Sequence, residues 1–353
     1  MEQCNFTRQL RSGSLELHQA HQAQAFSPQY VAGTLISELK HMTEARLGRE
    51  IEYAVLTVPR HVTYAGRQSL RYAGMVLGGF RSVKVVDEQI AAAAAHGRHL
   101  QPGDGKVVLV FHVGGRTTHA TIFKFINGMP WYINSHDNLF FGGNNLSLSF
   151  SCFNCDDFTE RLVHHLVELV KQQHGTDIRH DKAALLRLRA ECERAKKTLS
   201  DQQETIVQVE SLVDGSVDLF TAPLTRAKFE ELNSDLFERA IHLLDRTVMN
   251  APVVDDHDGA AESSRNKALI DEIVLVGGSS KIPMIRELVK DYFHGRDANP
   301  NPNPNGGLEL VQPDEAVIHG ALLLTRPEAA GYLEECYHPW SWGPPKTATD
   351  ASL

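Results

Sequence analysis

The segment that most constrains the fold of this chain is Ile273–Pro283, with the sequence IVLVGGSSKIP. Its first four residues form a short, apolar, largely β-branched run, which predicts a buried strand. Gly277 and Gly278 come directly after this run, and they allow backbone angles and close approaches that a Cβ atom would forbid. The segment therefore predicts a buried strand that ends in a diglycine turn.

The residues after this turn predict the start of a helix. Ser279 and Ser280 can cap this helix, and Pro283 suits its first turn. Strand, glycine turn and helix start together present free N–H groups and the positive end of a helix dipole, which is a physical basis for holding an anion. A tight strand-to-helix connection without a ligand has the same pattern, so other motifs must decide.

Length, charge and composition exclude several classes of protein. A chain of 353 residues can form one large or two ordinary domains. The net charge of −9 and the lack of a basic stripe argue against a general nucleic-acid binder. Met1–Gln24 has no apolar core typical of a signal peptide, and no apolar run is long enough to span a bilayer. Five cysteines suit a reducing cytosol, so we expect a cytoplasmic protein with no membrane contact.

The first third of the chain alternates between predicted helices and strands. Met1–Ala25 is polar and without periodicity, and we expect it to be a frayed, flexible segment. The next elements are a helix from Ser27-Pro28 to Gly48, a strand Ala54–Val58, a helix Tyr64–Leu77, a strand Val83–Val86 and a helix Glu88–His96. This order predicts part of an α/β layer.

A second unit begins after the turn at Pro102-Gly103. Its predicted strands are Val107–Phe111, Thr118–Phe125, Trp131–Asn134, Glu204–Val209 and Val217–Phe220, with hairpin turns at Asn127-Gly128 and Asp214-Gly215. Its predicted helices are Phe158–Gln173, Lys182–Thr198 and a single long helix, Arg226–Met249, capped by Thr225. The histidines of the chain show no repeated metal-ligand spacing, so we assign no metal-ligand residue.

Six motifs, in order, carry a resemblance to a known family. They are VLTVPRHVTYAGRQSLRYAGMVLGGF, VKVVDEQIAAAAAHG, KVVLVFHVGGRTTHATIF, ERAKKTLS, IVLVGGSSKIP and PDEAV. Taken together, the stretch from about Phe26 to Thr325 resembles the nucleotide-binding domain of the heat-shock protein 70 (DnaK) family. It is most similar to the atypical cytosolic members that work with a J-protein partner at the ribosome.

The resemblance implies an actin-like (ribonuclease H-like), two-lobed α/β ATPase fold, in which glycine turns hold a nucleotide between the lobes. Sugar kinases and actin share this fold, but ERAKKTLS and PDEAV favour the chaperone family. The implied division is a flexible N-terminus (1–25), a partial first lobe (26–100), a second lobe with a helical and β insertion (101–298), an Asn/Pro loop (299–310), a closing helix of the first lobe (311–326) and a tail (327–353).

Parts of the family pattern are not found in the sequence. The opening strand hairpin with the first phosphate loop, the catalytic lysine, and the substrate-binding β-sandwich with its lid are missing. We therefore expect a first lobe that lacks about half of its sheet. Either the sequence is a truncated gene model or a partner covers the exposed strand edge.

The resemblance also implies a set of nucleotide-binding residues. The Gly277-Gly278 turn would contact the sugar and the α-phosphate, and Lys281 stands where the family has an arginine that stacks on adenine. The implied set is Gly114, Gly115, Thr117, Gly142, Gly143, Glu193, Lys196, Lys197, Ser200, Gly277, Gly278, Ser279, Lys281 and Asp314. The spacing of Glu193, Lys196 and Ser200 can place them on one helix face, where an ordinary exposed charged face is the alternative.

The phosphate loop of the second lobe departs from the family pattern D-x-G-G-G-T-x-D. Here His112 and His119 replace both aspartates and Arg116 replaces the third glycine. Neutral imidazole suits zinc or copper better than magnesium, so Mg²⁺ is not expected to be held in the family's manner. Glu88 matches a family glutamate near the hydrolytic water and is the one catalytic candidate, while Gln89 replaces a family proline.

Three functions stay open from the sequence. The first is an atypical chaperone or co-chaperone with a degenerate cleft that binds ATP or ADP weakly, hydrolyses ATP very slowly or not at all, and assists a J-domain co-chaperone, with the ribosome or nascent chains as further partners. The second is an active ATP-hydrolysing chaperone that tolerates the histidine and arginine substitutions. The third is an interaction module that binds no nucleotide.

Overall fold

The structure is a computed structural model that describes residues 5–9, 15–19, 22–96, 106–115, 117–126, 129–138, 158–210, 219–251, 266–298 and 311–325. Several predicted features lie outside these residues: both hairpin turns, Arg116, the Gly142-Gly143 pair, the loop 299–310 and the tail 327–353.

Helices and strands alternate between Pro28 and Ala95, as the sequence predicts for this part of the chain. The strands are β1 (Asn5–Gln9), β2 (Leu15–Gln19), β3 (Gln22–Phe26), β4 (Tyr53–Val58), β5 (Ser82–Asp87), β6 (Val107–Val113), β7 (Thr118–Ile126), β8 (Met129–Asn138), β9 (Glu204–Glu210), β10 (Leu219–Thr225) and β11 (Glu272–Val276). The helices are α1 (Pro28–Leu47), α2 (Tyr64–Tyr72), α3 (Glu88–Ala95), α4 (Phe158–His174), α5 (Lys182–Asp201), α6 (Arg226–Leu232), α7 (Ser234–Met249), α8 (Pro283–Tyr292) and α9 (Ala316–Leu323). A π-helical turn, Ala73–Leu77, extends α2, and 3₁₀ turns cover Ile178–His180 and Gly278–Lys281.

The largest described sheet has the strand order β11-β6-β7-β8. β11 runs parallel to β6, whereas β6–β7 and β7–β8 are antiparallel. All five residues of β11 are buried, which confirms the predicted buried strand. Because parallel neighbours end at the same edge of a sheet, the turn after Val276 lies beside the loop after Val113.

Helices cover both faces of this sheet. Leu109, Phe111 and Leu275 point into a large core formed with α4, α5, α7 and α8. Val110 and Val274, one residue away in their strands, point to the opposite face and pack against α3 and α9. Side chains alternate between the faces of a strand, so the nearly continuous apolar sequences of β6 and β11 are those of strands buried on both sides.

The N-terminal part is built around the parallel pair β4–β5, with α1 and α2 beside it. A buried charge network connects this part to the central sheet. The Asp87 carboxylate accepts hydrogen bonds from the Arg67 guanidinium and from the Tyr132 hydroxyl, which belongs to β8. Asp87 is 2% exposed and Arg67 is 6% exposed. Since a buried charge is tolerated only when it is paired, this network fixes β5 and β8 relative to each other.

Three sequence-based predictions of local structure are wrong. The N-terminal segment is not without regular structure, because β1, β2 and β3 form an antiparallel three-stranded sheet. Antiparallel strands need only one apolar face, so a polar composition is weak grounds for predicting a frayed segment.

The single helix Arg226–Met249 is in fact two helices, α6 and α7. The buried Asn233 separates them, since its side-chain amide donates to the carbonyl of Phe229 and its backbone leaves the helical region.

The third correction concerns Ser279 and Ser280. Neither caps α8, whose N-cap position is Ile282 without a side-chain hydrogen bond. The Ser279 hydroxyl donates to the carbonyl of Gly114 at 3.1 Å, and the Ser280 hydroxyl donates to the carbonyl of Gly277 at 2.6 Å. Both serines therefore stabilise the turn and its contact with the β6–β7 loop rather than the helix.

The crossing of α3 and α9 is unusually close at Gly320. A Cβ atom on this residue would lie 1.6 Å from the carbonyl oxygen of Ala91. We expect Gly320→Ala to lower the free energy of unfolding by about 3 kcal/mol, because backbone atoms must move apart. Gly278→Ala is the control, since no atom lies within 4 Å of its Cβ position. Equal urea denaturation midpoints for the two variants would contradict the close crossing.

Candidate functional site

A cleft of about 1010 Å³ lies at the carboxyl ends of β6 and β11. Its walls come from α5, from the turn after β11, from α8 and from the segment before α9. The predicted residues that line it are Gly115, Glu193, Lys196, Lys197, Ser200, Gly278, Ser279, Lys281 and Asp314. Residues that are far apart in sequence therefore come together in one cavity, as the predicted site requires.

The remaining predicted nucleotide-binding residues that the structure describes do not line the cleft. Gly142 and Gly143 lie outside the described residues. The Gly114 N–H donates to the carbonyl of Thr117 at 3.0 Å, which closes the loop between β6 and β7. The Gly277 N–H donates to the carbonyl of Pro313 at 2.8 Å. Gly114, Thr117 and Gly277 thus shape the loops that carry the lining residues.

The two glycines of the β11 turn have different roles. Gly277 has a φ of 93°, and a Cβ on it would lie 2.4 Å from the carbonyl oxygen of Val113. It is therefore required for the tight packing of the turn against β6. Gly278 has no atom within 4 Å of its Cβ position and lines the cleft. Gly278 is consequently the glycine whose missing side chain leaves room for a ligand.

One side of the cleft is formed by a hydrogen-bonded cluster on α5. The Lys196 ammonium lies 2.6 Å from the Glu193 carboxylate and donates to the Thr159 hydroxyl at 2.9 Å. The Thr159 hydroxyl in turn donates to Glu193 at 2.8 Å. Lys197 reaches the same carboxylate at 3.8 Å but is largely exposed. The three-residue spacing does place Glu193 and Lys196 on one face, where Lys196 is buried and Glu193 is partly buried.

The electrostatics of this cluster favour the ionised carboxylate. Burial acts to raise the pKa of Glu193, but the charge of Lys196 and the hydrogen bonds from Lys196 and Thr159 lower it overall. At the other end of the cleft, Lys281 pairs with Asp314 at 2.8 Å. The hydrogen bond from Lys281 lowers the pKa of Asp314. Both ends of the cleft therefore hold fixed charge pairs at neutral pH.

Several lining residues were not predicted from the sequence. They include His96, Asp201, Arg286, Lys290 and Gln312. Arg286 is one turn into α8, and its Nε donates to the carbonyl of Ser280 at 3.0 Å. A basic residue three positions after Pro283 shares the face of the first helical turn, and this spacing could have identified it.

A second group of side chains gathers at the β6–β7 loop, next to the start of α3. Glu88, His112 and His119 each offer a ligand atom, and these atoms all lie within 4.8 Å of one another. Burial, and then the nearby His119, lower the pKa of His112 to about 4. Burial, and then the charge of Asp87, raise the pKa of Glu88. This cluster contains metal-ligating groups, although the sequence led us to assign none.

The His112 ring is packed against the glycines of both loops. A Cβ on Gly114 would lie 2.8 Å from its Nε2 atom, and a Cβ on Gly277 would lie 2.5 Å from its Cδ2 atom. The space that these glycines leave open is therefore occupied by an imidazole. His112 therefore packs beside these two glycine turns, and it is not among the described residues that line the cleft.

Comparison with known proteins agrees with this architecture. The family model described as Hsp70 protein matches residues 3–326. The chain is also 40% identical over 297 residues to the protein named Heat shock 70 kDa protein BIP3 from Oryza sativa subsp. japonica. The aligned region covers 84% of this chain and 39% of that relative, so the chain spans about two fifths of its length. Within the described residues, no helix has the length and hydropathy needed to cross a bilayer.

A two-lobed α/β ATPase fold of the actin-like class is the architecture that these observations define. The chain belongs to the Hsp70 family. The family match begins at residue 3, so the expectation that the family pattern starts only at Phe26 is wrong. The misplaced boundary has the same cause as the missed strands β1–β3, because the apolar–polar alternation of β2 and β3 is short and lies in a polar segment.

Hsp70 proteins in general bind ATP or ADP with Mg²⁺. Residues that hold this ion must offer the ligand types that it prefers. Mg²⁺ prefers near-octahedral oxygen ligands and retains several waters. The group at the β6–β7 loop supplies two imidazole nitrogens and only one carboxylate. These donors do not fit Mg²⁺, so we derive no step of a reaction through that ion.

We expect the Glu193 cluster to contribute a pH-dependent part of the stability. The folded pKa of Glu193 lies below its unfolded value, so its contribution is present above the unfolded pKa and is lost as pH falls through the folded pKa. At pH 7, Glu193→Gln should cost about 1–3 kcal/mol, because buried Lys196 loses a charged partner.

This difference from wild type should shrink as the pH falls below about 4. Glu204→Gln, at an exposed position on β9, is the control. Urea denaturation at several pH values measures both variants. A penalty for Glu193→Gln that is the same at pH 7 and pH 3 would show that the carboxylate charge is not involved.

Proposed function

We propose that this chain is an atypical Hsp70-type chaperone or co-chaperone whose cleft binds ATP or ADP weakly and does not hydrolyse ATP at a chaperone-like rate. The observation that carries the proposal is the contrast between the cleft and the neighbouring β6–β7 loop. The α5 wall of the cleft keeps the ordered polar groups of the predicted adenosine pocket, while His112 fills the space beside Gly114 and Gly277.

Support for nucleotide binding comes from the volume and lining of the cleft. A cavity of about 1010 Å³ is at the upper end of the range for small-molecule sites. Gly278 leaves its wall open, and Lys196 with Glu193 forms a preorganised polar floor. Lys281 is half-exposed beside Asp314 and can present its stem to an adenine ring, although it lacks the planar guanidinium of arginine. The cleft is therefore suited to bind the nucleoside part of ATP or ADP without closing tightly around the nucleotide.

Support for the loss of hydrolysis comes from the β6–β7 loop. Phosphoryl transfer requires a positioned metal ion and neutralisation of the developing charge. His112 and His119 replace two carboxylates at that position, which removes two negative charges from the Mg²⁺ side. Glu88 is the catalytic candidate that remains, and its carboxylate faces His112 at 3.9 Å. A single carboxylate beside an imidazole does not replace the lost ligands.

The biological role that we propose is inferred from the family. The chain would assist protein folding as an auxiliary of an active chaperone and a J-domain co-chaperone, in the cytoplasm, with the ribosome or nascent chains as further partners. The division into a first lobe that is incomplete, a second lobe at 101–298 and a closing helix of the first lobe at 311–326 is part of the same proposal. Two alternatives are kept: an active ATP-hydrolysing chaperone, and a module that binds no nucleotide.

The nucleotide proposal predicts a measurable effect of Gly278→Trp. An indole at this position would fill the open wall of the cleft, so the affinity for ADP should fall at least about tenfold, or 1.4 kcal/mol. Isothermal titration calorimetry with ADP and ATP measures it. Thr221→Trp is the matched control, because Thr221 is exposed on β10 and outside the cleft lining. Wild-type protein that binds neither nucleotide would favour the interaction module instead.

The hydrolysis proposal predicts no chaperone-like turnover of ATP. Single-turnover hydrolysis should be measured with Mg²⁺, with and without a J-domain protein, because a metal-free assay would be uninformative. We expect the rate to be indistinguishable from that of Glu88→Gln. A J-stimulated rate that disappears in Glu88→Gln would instead show that the chain is an active ATPase.

A further inference from the structure

Glu88, His112 and His119, called the histidine cluster below, are held by three regular elements. His112 on β6 is directly opposite His119 on β7 in the antiparallel register. Glu88 is the first residue of α3, which packs on the sheet beside them. The ring centroids of His112 and His119 are 5.4 Å apart. Because strands and helices position side chains more accurately than loops do, this is a preorganised arrangement.

The distances in the cluster are close to those of a metal site. A tetrahedral Zn²⁺ ion lies about 2.0–2.2 Å from nitrogen and oxygen ligands, which places neighbouring ligand atoms about 3.4 Å apart. The Nδ1 atom of His112 and the carboxylate of Glu88 are 3.9 Å apart, and no pair in the cluster exceeds 4.8 Å. The 3.9 Å separation is too long for a hydrogen bond, and small side-chain rotations bring the three atoms to the required spacing.

The surroundings favour imidazole as a ligand. A metal binds histidine through a ring nitrogen, and ring nitrogens of His112 and His119 both lie in the cluster. The Nε2 atom of His119 is 3.0 Å from the Thr117 hydroxyl, which can fix the tautomer and the orientation of the ring. His61 stacks on His119 with ring centroids 6.0 Å apart and adds a further restraint.

We propose that Glu88, His112 and His119 bind one divalent transition-metal ion, with Zn²⁺ as the preferred ion and a fourth position left for water. Two histidines and one glutamate are an established ligand set for zinc with an open position. Their softer nitrogen donors select against Mg²⁺. The proposal rests on the three side chains and not on nucleotide binding, so failure of one does not decide the other.

The test is titration of the full chain with Zn²⁺ after removal of bound metal with a chelator. A competing chromophoric zinc indicator gives the affinity, and the metal content after dialysis gives the stoichiometry. We expect one equivalent of Zn²⁺, which a large excess of Mg²⁺ does not displace. Displacement by Mg²⁺ at comparable concentration, or the absence of stoichiometric zinc, would overturn the proposal.

Variants identify the ligands. Glu88→Gln, His112→Asn and His119→Asn should each weaken Zn²⁺ binding by more than about 100-fold, since outer-shell partners alone are worth 10–100-fold. Thr117→Val, which removes such a partner, should weaken it by about tenfold. His164→Asn is the matched control, because this exposed histidine is on α4. Unchanged affinity in all three ligand variants would place the ion elsewhere and refute the site.

X-ray absorption at the zinc edge keeps the test decisive if a variant does not fold. Zinc-loaded wild-type protein should show only nitrogen and oxygen neighbours at about 2.0–2.2 Å, with outer-shell scattering from two imidazoles. Sulfur neighbours, or scattering from no imidazole, would overturn the assignment. Replacing zinc with Co²⁺ gives an independent signal, because a four-coordinate cobalt site absorbs strongly in the visible range.

Discussion

The parallel pairing of β11 with β6 is the constraint on which the rest of the structure depends. It places the ends of two strands at one edge of the sheet, and the turn after β11 must then pass directly over Val113. Only glycine fits at position 277, because a Cβ atom there would clash with the carbonyl oxygen of Val113. The Gly277 N–H donates to the carbonyl of Pro313. Pro313 lies just before α9, the helix that crosses α3 closely. One glycine therefore links the sheet, the cleft and the helix pair.

Some side chains at the site match the family motifs, and others differ from them. On α5, the buried Lys196 and the partly buried Glu193 are satisfied by each other and by Thr159, an arrangement that costs desolvation and persists only with good geometry. On β6 and β7, the imidazole rings of His112 and His119 stand where the family pattern D-x-G-G-G-T-x-D has aspartates. Exchange of charged oxygen ligands for imidazole changes which ion can be stabilised while the strands stay the same.

Much of the fold could be predicted from the sequence, because local patterns determine it. The apolar run of β11, the serine at the start of α1 and the glycine at its end all act within a few residues, and the structure agrees with them. The break at Asn233 could not be predicted in this way, since it depends on a buried side chain that donates to the backbone carbonyl of Phe229. The strands β1–β3 were missed because each has only five residues, so the alternation in β2 and β3 is too short to stand out in a polar segment.

The site was predicted in part, for a related reason. Glu193 and Lys196 are three residues apart on one helix, so their proximity can be read from the spacing. Glu88, His112 and His119 have no such spacing. Their proximity depends on the register of β6 with β7 and on the packing of α3, both of which are tertiary properties. Ser279 and Ser280 were misassigned for the same reason, because their acceptors are set by the turn and not by helix α8.

The position of the His112 ring has a consequence for what the protein could sense. The ring fills the volume beside Gly114 and Gly277, next to the loop that would receive the outer phosphates under the proposed function. A ligand would then gain its binding energy from its nucleoside end, which ATP and ADP share. Such a protein would respond to the total concentration of adenine nucleotide and not to the energy charge of the cell. Control over when the protein acts would then have to come from its partner proteins.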